Sequence, residues 1–367
     1  MSVTPPPKVK YAVNSRREQH MQPARRRVCV NRQTVVITGA SAGVGRATAI
    51  EFARHGWNVG LIARDGSRLE ATRAEVVSAG GQALVLPLDV ADAVAVFDAA
   101  NRVITRWGGI DVWINCAMVT VFAAAQDVQP TEYRRVIDVT LLGCIYGTLA
   151  AMKHMKERDA GTIVQVGSAL AYRAIPLQSA YCAAKHGMRG FTDALRSELI
   201  ASGSRIRLSM VQLPGMNTPQ FTWGRNHLPR RPQPVPPVFQ PETAARALYR
   251  AALEAPRELW VGRPTLQIIL GNILAPGLLD RILARIATRG QMTDEPASPN
   301  APDNLFEPVP GEFGAHGRFE AHARERAVTF NPARLRIALG FGAAALAVVA
   351  ILERLRRLRY SQLVRMR

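Results

Sequence analysis

Short apolar runs alternate with helix-like stretches along most of the first 260 residues. Runs rich in Val, Ile and Leu, typical of buried strands, lie at 35–38, 59–63, 83–88, 111–115, 162–166, 205–211 and 258–261. Stretches with helical periodicity lie between them, at 45–55, 67–78, 91–106, 131–155, 181–201 and 241–255. This alternation predicts an α/β fold with a parallel sheet covered by helices.

The first strand leads directly into a glycine-rich turn and then into a helix. The turn contains Gly39, Ser41, Gly43, Val44 and Gly45. Glycines let phosphate approach backbone N–H groups at a helix N-terminus, where the helix dipole favours an anion. An ordinary glycine turn is the alternative, but the position between strand and helix favours a dinucleotide site and a Rossmann-like doubly wound sheet.

Residues after the second and third strands bear on the choice of cofactor. An acid at the end of the second strand would bind a ribose 2′-hydroxyl, but this chain has Arg64 there and Arg46 after the glycine turn. A guanidinium can bind a phosphate through two hydrogen bonds, which favours NADP(H) over NAD(H). A solvated turn arginine is the alternative. Asp89 is a candidate to accept a hydrogen bond from the adenine amine or to cap the next helix.

Three polar residues form the candidate catalytic group. Tyr181 and Lys185 are four residues apart and therefore share one helix face, and Ser168 follows a buried strand. An ordinary tyrosine has a pKa of about 10, and a nearby cation lowers it. Ligands bind at the carboxyl ends of strands in open α/β sheets, which is where Ser168 is expected.

These motifs, in this order and spacing, resemble the short-chain dehydrogenase/reductase family over residues 34–262. The resemblance implies hydride transfer between the nicotinamide of NADP(H) and a carbinol or carbonyl carbon. Tyr181 would then exchange the proton, Ser168 would hold the substrate oxygen, and Lys185 would tune Tyr181 and hold the nicotinamide ribose. Further cofactor contacts implied by the resemblance are Asn115, Pro214, Gly215 and Thr218. The family also implies a homo-oligomer formed through helices 131–155 and 181–201.

Two positions depart from the family's pattern. Met118 stands where the family usually has a glycine, beside the nicotinamide. Thr140 stands where it usually has the asparagine that orients a proton-relay water. These departures keep open an alternative from another functional class, a catalytically weak NADP-binding protein of the same fold that acts as a membrane-associated binding or scaffold module.

The segments after the pocket turn bear on the substrate. Residues 214–241 are rich in proline, which predicts irregular structure at the surface. Their large apolar residues are candidates for a lid over the substrate or for anchors of the loop itself: Phe221, Trp223, Leu228 and Phe239. Residues 263–290 form an apolar helical extension that either completes the core or gives entry to a lipid-like alcohol or ketone. Residues 291–330, rich in Pro, Gly and acids, are expected to be a linker or a wrapping arm.

The net charge of +19 is concentrated at the two ends of the chain. Residues 1–33 form a basic arm, expected to be disordered, with eight basic residues and one acid. Residues 331–367 combine an uncharged apolar run at 337–352 with six arginines and no acid at 354–367. A helix there that contacts anionic lipid, lying on the membrane or spanning it, predicts association with the cytoplasmic side of a membrane.

Other partners and locations are less consistent with the sequence. A buried helix at 337–352, in a soluble cytoplasmic protein, is the alternative to membrane association. Nucleic-acid binding is disfavoured because no recognised motif or regular interleaving of aromatic residues accompanies the arginines. The four cysteines have no paired short spacing, which argues against a zinc site or a disulfide framework.

Overall fold

The computed structural model describes residues 32–298 and 301–335, which form a domain built around an eight-stranded sheet. The strands are β1 (Thr34–Thr38), β2 (Asn58–Ala63), β3 (Gln82–Pro87), β4 (Val112–Asn115), β5 (Thr162–Ser168), β6 (Arg207–Leu213), β7 (Glu258–Val261) and β8 (Thr329–Phe330). Their order across the sheet is β8-β7-β6-β5-β4-β1-β2-β3. The first seven strands are parallel, and β8 pairs antiparallel with β7.

The strand order predicts a ligand crevice at the carboxyl ends of the central strands β1 and β4. The chain proceeds outward from β1 to β3 and then crosses back to β4 on the other side of β1. Helices after β1 and β4 therefore lie on opposite faces, and a crevice opens between them at the carboxyl ends of the strands. The predicted α/β fold with a doubly wound parallel sheet is confirmed.

Ten helices accompany the sheet in the described residues. They are α1 (Gly43–Arg54), α2 (Gly66–Ser78), α3 (Ala93–Trp107), α4 (Pro130–Ile137), α5 (Gly143–Arg158), α6 (Ser179–Ala201), α7 (Gln220–Trp223), α8 (Pro241–Glu254), α9 (Gly262–Leu274) and α10 (Pro276–Gly290). The single helix expected at 131–155 is instead α4 and α5, joined by a π-helical turn at Asp138–Leu142. Periodicity did not reveal this turn because apolar residues continue through it.

Alternation along each strand creates a core on both faces of the sheet. Val36 and Trp113 belong to the cluster with α3, α5 and α6, whereas Val35 and Ile37 belong to the cluster with α1, α2 and α8. All four side chains are fully buried. Strands covered on both faces have few polar positions, which is why they appeared as continuous apolar runs in the sequence.

One continuous helical stretch, Pro130–Arg158, has the length and composition of a membrane span among the described residues. Of its apolar window, 56% is buried inside the protein. Its π turn and α5 contribute Val139, Ala150 and Met155 to the core cluster with α3 and α6. This stretch is therefore a core helix of the fold.

The proline-rich segment 214–241 is more ordered than its composition predicted. It contains α7 and three short strands, each paired with a strand elsewhere: Arg225–Asn226 with Val121–Phe122, Arg230–Pro232 with Met292–Pro296, and Val238–Phe239 with Ala323–Arg324. The expectation of irregular structure is therefore wrong. Proline is tolerated there because these ladders are only two-stranded and leave one side of each strand unpaired.

Residues 301–324, which we call the arm, wrap around the sheet domain. Leu305 is fully buried in the core cluster with α3, α5 and α6. Beyond the arm, β8 adds the last strand to the sheet, and Trp260 lies opposite Phe330 in that pairing. Of the two expectations for 291–330, the linker is wrong and the wrapping arm is correct, because apolar side chains in the segment are buried against the domain.

The helical extension after β7 consists of two helices, α9 and α10, but it does not complete the core. In these helices only Gly262, Thr265, Ile269 and Ala287 are buried. The basic region 1–31, the apolar run at 337–352 and the arginine tail lie outside the described residues.

Leu305 provides a test of how strongly the arm is packed. Leu305→Ala is expected to lower the free energy of unfolding by about 2–5 kcal/mol, because it leaves a cavity in a dense core. Leu253→Ala, at a leucine that is 46% exposed on α8, is the matched control and should change stability by about 0.5 kcal/mol or less. Urea unfolding measures both. Equal effects of the two substitutions would show that the arm is not integrated into the core.

Candidate functional site

A cleft of about 1220 Å³, including its mouth, opens at the carboxyl edge of the sheet. Its walls come from the turn before α1, the ends of β2–β6, and α6. Candidate site residues in the wall are Gly39, Ser41, Gly43, Val44, Gly45, Arg64, Asp89, Ser168, Tyr181, Lys185, Pro214 and Thr218.

The glycine turn is tightly folded against its own backbone. A Cβ atom at Gly45 would lie 2.1 Å from the carbonyl oxygen of Gly39, a distance that no side chain tolerates. Gly39 has a φ of 72°, a left-handed conformation that favours glycine. The turn therefore places the N-terminus of α1 in the cleft wall, a position that favours an anion such as a dinucleotide pyrophosphate.

The catalytic candidates meet where β5 and α6 approach each other. Ser168 is the last residue of β5, and its Oγ accepts a hydrogen bond from the N–H of Leu170. Lys185 Nζ donates to the carbonyl oxygen of Val166 at 2.7 Å and lies 5.6 Å from the ring centre of Tyr181. The helix spacing and the strand end thus bring the three predicted side chains to one place.

Burial dominates the protonation of these groups. It raises the pKa of the Tyr181 phenol above the ordinary value, and a hydrogen bond with Ser168 offsets only part of the rise. Burial also lowers the pKa of Lys185 to about 8. That Lys185 lowers the pKa of Tyr181 stays a prediction, and in this arrangement Lys185 Nζ is directed at the Val166 carbonyl.

Arg64 lies in the wall of the cleft, where the arm engages its guanidinium. Nη1 donates to the carbonyl oxygen of Phe306 and Nη2 to that of Asn304, both at 2.5 Å. It is therefore not the solvated turn residue of the alternative interpretation. Arg46 is ion-paired with Glu75 and Glu312 and lies outside the cleft wall.

Asp89 also lies in the cleft wall and is held from two sides. Its Oδ1 accepts from the N–H of Ala91 at 3.0 Å, and its Oδ2 pairs with Arg135. The residue that caps α3 is Asp92, so the suggestion that Asp89 caps this helix is wrong. Asp89 remains positioned toward the cleft, beside Arg64 in the wall.

Two of the expected cofactor contacts lie outside the cleft wall. The Asn115 amide is buried, where it donates to Thr148 and Gln165 and accepts from the Trp113 indole. This network fixes β4 to β5 and α5, which is a structural role. Gly215 packs against the backbone at Val235. A Cβ atom added to Gly215 would lie 3.0 Å from the carbonyl oxygen of Val235.

The two departures from the family's pattern differ in their surroundings. Met118 lines the cleft, as expected for a residue beside the nicotinamide. Thr140 is fully buried, and its hydroxyl both accepts from the N–H and donates to the carbonyl of Val119, each at 3.2 Å. Because a hydroxyl has one proton, Thr140 has none left to donate to a relay water in this arrangement.

The candidate lid residues mainly anchor their own loop. Phe221, Leu228 and Phe239 are buried, and the first two pack together with Phe122. Only Trp223 of this set reaches the cleft wall.

Sequence reasoning missed the part of the cleft wall that the arm supplies. Asn304 and Pro308 lie in the wall, and Asn304 contacts Arg64, which precedes it by 240 residues in the chain. Close by, the Gly43 N–H donates to the carbonyl of Gly314 at 3.1 Å. The sequence of the arm has no periodicity that predicts these contacts. Its acids, Asp303, Glu307 and Glu312, are the one feature that could have indicated an arm facing arginines.

Comparisons with known proteins agree with this geometry. The family model for short chain dehydrogenases matches residues 33–227. An uncharacterized oxidoreductase of Bacillus subtilis, YxnA, is 30% identical over 277 residues, which cover 75% of this chain and 78% of that protein. Human dehydrogenase/reductase SDR family member 7 is 35% identical over 169 residues, 45% of this chain and 50% of that protein.

A solved structure shares the fold. A metagenomic short-chain oxidoreductase, crystallised in complex with NADP, is 28% identical, covers 60% of this chain and 90% of its own, and superposes with a TM-score of 0.51. The mostly parallel sheet flanked by helices agrees with this match. The chain belongs to the short-chain dehydrogenase/reductase family.

Proposed function

We propose that this oxidoreductase interconverts an alcohol and a carbonyl on an apolar substrate, with NADP(H) as cofactor. The observation that carries the proposal is the meeting of Ser168, Tyr181 and Lys185 in the wall of one cleft. A dinucleotide site is supported by the turn before α1, which leaves no room for a side chain at Gly45 and places the N-terminus of α1 in the cleft wall. A bound nicotinamide supplies or accepts the hydride.

Tyr181 is the proposed acid and base. Because burial raises its pKa, the phenol is protonated at neutral pH, the state in which it donates a proton to a carbonyl oxygen as negative charge develops there. Ser168 holds that oxygen by a hydrogen bond from its hydroxyl. Lys185 fixes α6 to β5 through Val166, so that Tyr181 and Ser168 face the same point.

The proposed preference for NADP(H) rests on Arg64. No acid occupies the end of β2, and a guanidinium there favours a 2′-phosphate. The carbonyls of Asn304 and Phe306 hold this guanidinium at the edge of the cleft, so a phosphate must share or replace their hydrogen bonds. The NADP complex of the metagenomic relative is in keeping with this preference.

An apolar substrate is favoured by the side chains beside the catalytic group. Met118, Val119, Leu213 and Met216 line the cleft there. Met118 is the partly exposed member of this set, and an apolar molecule that covers it removes its thioether side chain from water. We also propose, from the family, that the chain forms a homo-oligomer. From the sequence, we propose that residues 332–367 contact the cytoplasmic side of a membrane.

The second candidate function is an NADP-binding protein with little turnover. It is favoured by Thr140, whose hydroxyl is committed to Val119 and supplies no proton to a relay. The two functions predict different behaviour when the phenol is removed, since only an enzyme depends on it.

Tyr181→Phe is therefore the central test. Reduction of a panel of apolar ketones should fall by about 10²–10⁴-fold, because the general acid is lost while the ring is kept. NADPH binding, measured by fluorescence, should be retained, which controls for folding. Tight NADPH binding without turnover by either form of the protein would establish the binding protein instead.

Arg64→Asp tests the cofactor preference. The ratio of NADPH to NADH affinity should fall by about 10- to 100-fold, because a charged hydrogen-bond donor is replaced by a like charge for the phosphate. The ratio is the informative quantity, since any loosening of the arm affects both dinucleotides equally. An unchanged ratio in calorimetric titrations would refute the role of Arg64.

Burial of Lys185 should be visible in the pH dependence of stability. Its pKa in the folded chain is about 8, below the value of 10.5 for an exposed lysine, so the unfolded chain binds more protons between these values. The free energy of unfolding should therefore rise with pH across this window by up to about 3 kcal/mol relative to Lys185→Met. Urea unfolding of both proteins at pH 7.0–10.5 measures the difference, and a constant difference would contradict burial of the cation.

A further inference from the structure

The outer side of the α9–α10 hairpin carries a group of exposed large apolar side chains. Exposure reaches 80% for Leu274 and 59–63% for three others in the group. We call the group the apolar ridge: Ile273, Leu274, Leu278, Ile282 and Ile286. Exposed apolar residues elsewhere in the described chain are scattered, and contiguous groups of this kind mark interaction sites.

The ridge on α10 follows helical geometry. Leu278, Ile282 and Ile286 are four residues apart and form one stripe, while Ala287 on the other side of α10 is buried. A parallel stripe of cations, Arg281, Arg285 and Arg289, runs beside the ridge on the same exposed part of the helix.

These arginines have no internal role in the described residues. None of the three forms an ion pair with another described residue, whereas the neighbouring Asp280 pairs with Arg173 of the domain. An apolar stripe flanked by uncompensated cations is the pattern of a helix that lies in a membrane interface.

We propose that the apolar ridge docks on the surface of an anionic lipid bilayer. The ridge side chains enter the boundary between headgroups and acyl chains, and the arginine stripe binds lipid phosphates and carboxylates. This is a second contact, separate from any made by residues 332–367, and it does not depend on the proposed catalytic function.

Charge selects the bilayer over two other partners. The first alternative is that the chain's own apolar run at 337–352 covers the ridge. The six arginines that follow it at 354–367, where there is no acid, would then be brought toward Arg281, Arg285 and Arg289. A second copy docked ridge to ridge would place the arginine stripes of both copies at one interface, because a two-fold interface pairs the same patch with itself. An anionic surface neutralises both the stripe and the tail.

The hairpin is firmly attached to the domain, so docking would orient the whole enzyme. Asn272 donates to the carbonyl of Tyr172, and Arg173 pairs with Asp280. After α10, the Gln291 amide donates to the carbonyl of Pro176 at 2.8 Å. These contacts join the hairpin to the loop between Ser168 and Tyr181, so the ridge and the catalytic cleft move as one body.

Sedimentation of the full chain with vesicles tests the proposal. Vesicles of phosphatidylcholine alone are compared with vesicles containing phosphatidylserine, at low and high salt. Binding should require phosphatidylserine and weaken with salt. The ridge variant, Leu278→Ser with Ile282→Ser and Ile286→Ser, should lower the partition coefficient by about tenfold or more, as should the stripe variant, Arg281→Gln with Arg285→Gln and Arg289→Gln.

A matched triple of exposed apolar residues away from the hairpin provides the control. Val77→Ser, Val94→Ser and Ile200→Ser replace side chains that are 52–80% exposed and should leave vesicle binding unchanged. Retained NADPH binding shows that each variant is folded. If the ridge triple fails this check, the single substitution Leu274→Ser, at the most exposed ridge residue, is used with Val94→Ser as its control.

Three outcomes would overturn the proposal. The first is absence of vesicle binding by the unaltered chain. The second is full binding by the ridge variant, which would assign membrane contact to the tail alone. The third is a ridge variant that binds vesicles like the unaltered chain but differs from it in sedimentation velocity when no vesicles are present. That result would make the ridge an interface between copies. None of these readouts uses turnover, so they are independent of the test of Tyr181.

Discussion

The hydrogen bond from Lys185 to the carbonyl of Val166 is the contact on which the catalytic geometry depends. It is 2.7 Å long and joins α6 to β5, the two elements that carry Tyr181 and Ser168. A buried ammonium needs such a partner, because burial without one is costly. The same burial lowers the pKa of Lys185 and raises that of Tyr181, so position and protonation in the cleft have one physical cause.

Features set by local spacing could be predicted from the sequence, and features set by long-range contacts could not. The glycine turn, Ser168, Tyr181 and Lys185 each follow from a strand end or a helix period, and the structure brings them into the wall of one cleft. The burial of Leu305 was not foreseeable, since a single leucine among prolines and acids has no period. The Asn115 network likewise depends on three elements that are distant in sequence.

The carbonyl groups of the arm and the phosphates of a bound dinucleotide would compete for the same hydrogen-bond donors in the cleft. Arg64 donates to two carbonyls of the arm, and the Gly43 N–H donates to a third. These are the types of donor that a dinucleotide phosphate uses. If the chain binds NADP(H) as proposed, the 2′-phosphate gains only the difference between its own hydrogen bonds and those it replaces.

The position of the arm near the end of the chain also has a consequence for biosynthesis. During translation, residues 32–298 emerge from the ribosome before Asn304 and Pro308, so a nascent chain can assemble the parallel sheet and the catalytic group while one wall of the cleft is still missing. A ligand stabilises only the conformation that can bind it. A dinucleotide that contacts Asn304 and Pro308 therefore gains those contacts only after the arm has been synthesised.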